Sequence, residues 1–274
     1  MSKQFSVAMC VYGGDNPMWF QQAVDSILRQ SAMPSEIVLV VDGPVPDTLN
    51  GIICNLEKDD RFRVIRLQKN EGHGLARRIS VEHCSNELVA LMDADDICVT
   101  DRFEIQLAAF ESDPSLSALG GLISEFMGDE QNVVGYRVVP TDHNRIVEYM
   151  KKRCPLNQVT VMFRKADVIK AGGYQEWYCN EDYYLWLRMY LEGMKLGNVS
   201  QVLVNVRVNQ DMYRRRGGWK YFASEARLQK YMMDNHVIGP ATYLLNLAKR
   251  ILVQVLLPNH IRGWVFRKFA RKML

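Results

Sequence analysis

The order of apolar and polar positions divides the first hundred residues into alternating strands and helices. Phe5–Tyr12 (FSVAMCVY) is a continuous apolar run, the pattern of a parallel strand buried on both faces. Asn16-Pro17 supplies a cap and a first-turn proline. Phe20, Val24, Ile27 and Leu28 recur on one face of the helix predicted to run to about Gln30. Glu36–Asp42 (EIVLVVD) is the next strand and closes in Asp42-Gly43-Pro44. A helix near 46–58, a strand over Phe62–Leu67 and a helix from about Gly74 to Cys84 follow. Glu87–Asp93 (ELVALMD) is a fourth strand, ending in Asp93-Ala94-Asp95-Asp96. This order predicts an α/β fold with a mainly parallel sheet and helices on both faces.

The second half is less regular. The pattern predicts a helix near 101–111, strands near 118–126 and 132–139, a helix near 142–150 and a strand over Gln158–Phe163. Asn180-Glu181-Asp182 opens an apolar helix that ends at Gly193. Val199–Val208 is a further strand, Asp211–Trp219 (DMYRRRGGW) a basic loop, and apolar helices near 240–257 and 261–273 close the chain. No internal repeat or low-complexity segment is present.

Composition narrows the class. A chain of 274 residues, 48% hydrophobic and 24% charged, folds as one large α/β domain with appendages or as two small ones. No apolar window is long enough to span a bilayer, and no signal-like region precedes the first strand, so a cytoplasmic location is expected. Six cysteines without a C-x-x-C spacing predict reduced, packed thiols rather than zinc or disulfides. Residues 235–274 hold seven basic residues and no acid, leaving 27 basic against 31 acidic residues in 1–234. An acidic body with a basic, apolar tail argues against nucleic acid and points to an anionic membrane surface.

Ligands of such sheets bind beyond the carboxyl ends of the strands. Asp93, Asp95 and Asp96 repel one another unless a cation compensates, and Mg²⁺ or Mn²⁺ beside a diphosphate would do so. A helix cap needs only one acid, so the metal reading is preferred. Asp42 can accept from a base or a ribose, and Tyr12 can stack on a base. Asn70, Gly72 and Gly74 form a turn into a helix whose N-terminus favours anions, but the pattern is neither G-x-G-x-x-G nor a Walker loop. His73, a lone histidine, is read as incidental rather than as a metal ligand. Glu181 and Asp182 are either first-turn acids under an Asn180 cap or a general base with its neighbour. Arg214 and Arg215, with Arg216-Gly217-Gly218, suit diphosphate oxygens on a lid, or form a solvated basic turn.

Together these residues resemble the family 2 inverting glycosyltransferases. The resemblance lies in Gln30-x-x-x-Pro34-x-Glu36-Ile37-Val38-Leu39-Val40-x-Asp42-Gly43, Asn70-x-Gly72-x-x-x-Ala76-Arg77, Leu91-Met92-Asp93-Ala94-Asp95-Asp96, Gly172-Gly173-Tyr174 and Glu181-Asp182. The tail is similar to bacterial exopolysaccharide, capsule and O-antigen transferases of the amylovoran type. The resemblance implies a glycosyltransferase A-type nucleotide-binding fold. Residues 1–220 would be catalytic, with 1–100 the nucleotide-sugar half and 101–220 the acceptor half, and 221–274 an extension of C-terminal amphipathic helices that associates with a membrane or packs. It implies that Tyr12, Asp42, Asn70, Gly72, Arg77, Asp93, Arg214 and Arg215 meet a nucleotide-sugar, UDP-linked. Asp95 would hold Mn²⁺ or Mg²⁺, and Asp182, with Glu181 beside it, would be the base. The implied acceptor is a lipid-linked glycan, met from the inner face of the cytoplasmic membrane. Departures are Gly43-Pro44 for the usual Gly-Ser, Arg78 for the usual Asn, and the lack of Q-x-x-R-W, which points to transfer of single sugars. A sugar-phosphate nucleotidylyltransferase and a catalytically silent assembly subunit are the alternatives, and the closing helices have a homodimer contact or packing on the body as theirs.

Overall fold

The apolar runs of the first half become the centre of one sheet. In the computed structural model, which describes residues 4–209 and 217–257, β1 (Phe5–Tyr12) lies between β2 (Glu36–Asp42) and β4 (Leu88–Met92), with β3 (Phe62–Arg66) outside β2. All these pairings are parallel. The crossovers are α1 (Pro17–Leu28), α2 (Asp47–Leu56) and α3 (His73–His83). Alternation along β1 and β4 divides the core in two. Phe5, Val7, Met9, Leu88, Ala90 and Met92 face one layer, whereas Ala8, Val89 and Leu91 face the other. Asn16 caps α1 as expected, accepting from the Met18 and Trp19 amides at 2.9 and 3.3 Å, with Pro17 in the first turn.

Beyond β4 the sheet becomes mixed. β8 (Met162–Arg164) is antiparallel to β4 and to β6 (Leu116–Phe126), and β6 runs parallel to β9 (Lys195–Arg207). The two-residue β5 (Ile97–Cys98) edges β9, and β7 (Val133–Arg137) hangs on β6. The helices here are α4 (Arg102–Ser112), α5 (His143–Met150), α6 (Lys165–Lys170) and α7 (Glu181–Leu191). The strand expected over 158–163 starts late. Thr160 folds back on the Asn157 carbonyl through both its amide (2.8 Å) and its hydroxyl (2.6 Å), so 158–160 is a 3₁₀ turn.

The pattern predicts nothing over 220–239, yet α8 (Trp219–Asp234) occupies most of it. Its buried face mixes Leu228 and Met232 with Ser224, Glu225 and Gln229, which blurs the apolar period. α9 (Pro240–Arg250) continues through a π turn to Leu256. The helix expected over 261–273 lies outside the described residues. Of the cysteines, Cys84 and Cys98 are buried and Cys10 and Cys154 half-buried, but Cys54 and Cys179 are exposed rather than packed. No helix among the described residues is long and apolar enough to cross a membrane.

Candidate active site

The register of the parallel strands sets Tyr12 opposite Asp42 and Met9 opposite Met92, so Asp93 emerges one step beyond the sheet next to them. Tyr12 is half-exposed, with its ring lying over Gly14. Asp42 is buried, and its two oxygens accept from the amides of Glu71 (2.7 Å) and Gly72 (3.1 Å). The Asn70 amide group donates to the Asp42 carbonyl at 3.4 Å. Gly43 lets this turn close. Its φ is +85°, and a Cβ there would stand 2.6 Å from the Asn70 nitrogen. Asp42 therefore holds the Asn70–Gly72 turn, with each carboxylate oxygen keeping a lone pair.

The three acids after β4 have three different surroundings. Asp93 is bonded to the Arg77 guanidinium, which is buried in α3. Burial alone would raise Asp93, but Arg77 and then His73 hold its carboxyl below the usual range. Asp96 is buried and accepts from the Arg207 amide at 2.9 Å, while the Arg207 side chain donates to the Asp95 carbonyl at 3.2 Å. That acid ties the turn to the end of β9. Asp95 makes no ion pair among the described residues, and burial and the neighbouring Asp93 and Asp15 push it up to about 6. Asp15, which the sequence reading did not single out, is also raised to about 6, by burial and, further down, by Asp93.

The second-half acids open α7. Asn180 is not their cap: its side chain donates to the Ser224 hydroxyl of α8 at 3.0 Å and makes no capping bond. Asp182 accepts from the Tyr183 amide at 2.6 Å and from the Cys154 thiol at 3.5 Å. Burial and then the adjacent Glu181 push its carboxyl up to about 6. Burial works in the same sense on Glu181, but the hydrogen bond and charge of His73 hold it below the usual range. Behind the pair, Gly172 and Gly173 adopt φ of +87° and +63°, and Arg188 of α7 donates to the carbonyls of Ala171 and Gly173.

His73 corrects the incidental reading. One ring nitrogen lies 2.9 Å from Glu181 and the other 2.8 Å from Arg77, so Asp93, Arg77, His73 and Glu181 form one chain of contacts. It joins the end of β4 to the start of α7 through one face of α3, at the i and i+4 positions. The spacing of 73 and 77 was visible in the sequence, but their partners 16 and 108 residues away were not. Arg214 and Arg215 lie outside the described residues; Gly218, just after them, donates its amide to the Gln254 carbonyl at 2.9 Å.

The sequence profile described as Glycosyl transferase family 2 matches residues 6–171, more than half of the chain. The chain belongs to glycosyltransferase family 2. Similar proteins span nearly its whole length. The UDP-Gal:alpha-D-GlcNAc-diphosphoundecaprenol beta-1,3-galactosyltransferase of Escherichia coli is 33% identical, covering 99% of this chain and 98% of its own. The amylovoran biosynthesis glycosyltransferase AmsE of Erwinia amylovora is 37% identical over 90% of this chain and 94% of its own. An uncharacterized glycosyltransferase of Haemophilus influenzae is 36% identical over 98% and 100%. The fold is shared with the crystal structure of S. aureus TarS 1-349 in complex with UDP-GlcNAc. There the TM-score is 0.62 at 17% identity, covering 96% of this chain and 75% of that one. The glycosyltransferase reading is thus established over the nucleotidylyltransferase alternative.

Proposed function

We propose that this glycosyltransferase moves one sugar, with inversion, from a UDP-linked donor to a hydroxyl of a lipid-linked glycan in bacterial surface-polysaccharide synthesis. The observation that carries the reading is the chain Asp93–Arg77–His73–Glu181, which fixes the acidic turn after β4 against the acidic pair of α7. The relatives named above support the donor and the acceptor class: one is named for UDP-Gal and a diphosphoundecaprenol acceptor, another for amylovoran biosynthesis. Residues 1–220 form the catalytic unit in this reading, and 221–274 form an extension that keeps the enzyme peripheral on the cytoplasmic face of the membrane.

In this mechanism the nucleotide occupies the carboxyl ends of β1, β2 and β4. Tyr12 stacks on the base, the free lone pairs of Asp42 receive its N–H groups, the Asn70–Gly72 turn lines the site, and Asp93 receives the ribose hydroxyls. Asp182 takes the proton of the acceptor hydroxyl as its oxygen attacks the anomeric carbon, opposite the departing diphosphate. One displacement inverts the configuration. Arg214 and Arg215 neutralise the leaving diphosphate. A divalent cation fits Asp95 and Asp15, half-buried carboxyls that repel each other and make no ion pair among the described residues. Held by Asp95 and diphosphate oxygens, Mn²⁺ or Mg²⁺ would stabilise the charge of the leaving group. Among the described residues no three His, Cys, Asp or Glu side chains converge on one point.

The test is a donor screen on a diphosphate-linked lipid acceptor, read by mass of the product and release of UDP. Asp182→Asn is expected to cut turnover by about 10²- to 10⁴-fold with little change in donor affinity. An inactive wild type that nevertheless binds UDP would point to a silent assembly subunit. An active Asp182→Asn with an inactive Glu181→Gln would reverse the two roles.

A further inference from the structure

The helix over 240–256 is built inside out. A helix that docks on a water-soluble body turns its apolar stripe inward and its polar residues to solvent. Here the line that reaches deepest is polar, Asn246, Arg250 and Gln254 at i, i+4 and i+8, with Tyr243, Leu247 and Ile251 half-buried beside it. Asn246 is buried and donates to the Lys151 carbonyl (2.9 Å) and to Gln229 of α8 (2.7 Å). Arg250 pairs with the buried Glu225 of α8 and donates to the Lys152 carbonyl at 3.1 Å. Gln254 is buried, and its carbonyl receives the Gly218 amide. The outward line is leucine. Leu244, Leu245, Leu252 and Leu256 are 64%, 55%, 54% and 65% exposed, and Trp219, next to Gly218, is 67% exposed. Hydrogen-bonded polar groups fix this orientation, so the leucines cannot turn inward without leaving Asn246, Arg250 and Glu225 unpaired.

We infer that this leucine face is the surface on which the enzyme rests on the bilayer, with the helix lying in the interface of an anionic membrane. The inference rests on the lipid-linked acceptor proposed above and names the face that meets the lipid. Charge selects the occupant. Lys249 lies exposed on the same helix, and the chain that follows carries Arg262, Arg267, Lys268, Arg271 and Lys272 with no acid. Anionic headgroups complement the charge of that run. An apolar stripe flanked by an exposed tryptophan and basic residues is the composition of an interfacial helix. The face also adjoins the site. The carbonyls of Lys151 and Lys152 that receive Asn246 and Arg250 belong to the strap that continues into Cys154, whose thiol meets Asp182. A helix seated in the headgroup layer would thus hold the catalytic pair one strap away from the lipid surface, within reach of a glycan attached to it.

The test is flotation of the full chain with vesicles of phosphatidylethanolamine and phosphatidylglycerol, and with phosphatidylcholine alone. The probes are Leu245→Gln/Leu252→Gln and, separately, Arg267→Gln/Lys268→Gln/Arg271→Gln/Lys272→Gln. Both leucines are already in water, so the fold should stand, which circular dichroism checks. The expected result is a drop of about tenfold or more in partitioning onto anionic vesicles for the leucine pair. Transfer to a water-soluble acceptor analogue should be unchanged. If the leucine pair binds vesicles like the wild type while the basic substitutions abolish binding, the protein is peripheral through its tail and the inference fails. If light scattering shows a dimer that the leucine pair dissolves, with vesicle binding unaltered, the face belongs to a second copy and the inference fails. Absence of transfer to any acceptor by a wild type that binds vesicles would overturn the enzymatic reading and leave this one standing.

Discussion

Removing the charge of Glu181 should move the acidic limb of the activity profile. Asp182 has to be unprotonated to accept a proton, and its carboxyl is pushed up to about 6, first by burial and then by Glu181. Activity should therefore fall about tenfold per pH unit below about 6, because the competent fraction follows the ionised carboxylate. Two like charges roughly 6 Å apart at an effective dielectric of about 20 repel by about 3 kcal/mol, an upper bound of about two pH units. Burial is the larger cause and persists in Glu181→Gln, and the amide still accepts from His73, so a fall of about one pH unit is expected. At pH 5 the ionised fraction would then rise from about a tenth to about a half, close to a fivefold gain relative to the plateau. The assay is kcat/KM for the acceptor analogue from about pH 4.5 to 8, which reports the free enzyme. An acidic limb that stays where it is, or moves upward, would refute the coupling of the two carboxylates.

Asp95→Asn should make UDP binding indifferent to Mn²⁺, measured by calorimetry with and without chelator; equal wild-type affinity in both conditions would remove the cation from the site. Gly43→Ala should cost about 1–3 kcal/mol of stability, because it combines a φ of +85° with a 2.6 Å approach to the Asn70 nitrogen. It should also weaken UDP binding through the Asn70–Gly72 turn. Urea denaturation and the same calorimetry check both, and an unchanged midpoint would show that the turn relaxes at little expense.

The parallel half was legible because both faces of β1, β2 and β4 are covered, so each reads as one apolar run closing in a polar residue. Tyr12, Asp42 and Asp93 could be grouped from that order alone, since parallel strands bring their carboxyl ends to one edge. Local rules carried further where the partners are local: Asn16 caps its own helix, and Gly43 closes its own turn. They failed where the partner is distant. Asn180 has the position of a cap, but Ser224, 44 residues on, takes its side chain. His73 looks incidental because Glu181 lies 108 residues ahead. Of three adjacent acids, Asp93 goes to α3, Asp96 to β9, and Asp95 is left without an ion pair among the described residues, a division made by the folded neighbours. Over 240–256 the sequence determined an amphipathic helix and left its direction open. The reversal was decided by tertiary structure, because only there do the Lys151 and Lys152 carbonyls, Gln229 and Glu225 come within hydrogen-bonding reach of Asn246 and Arg250. Buried polar groups must be paired, and that requirement outweighed the tendency of leucines to leave water.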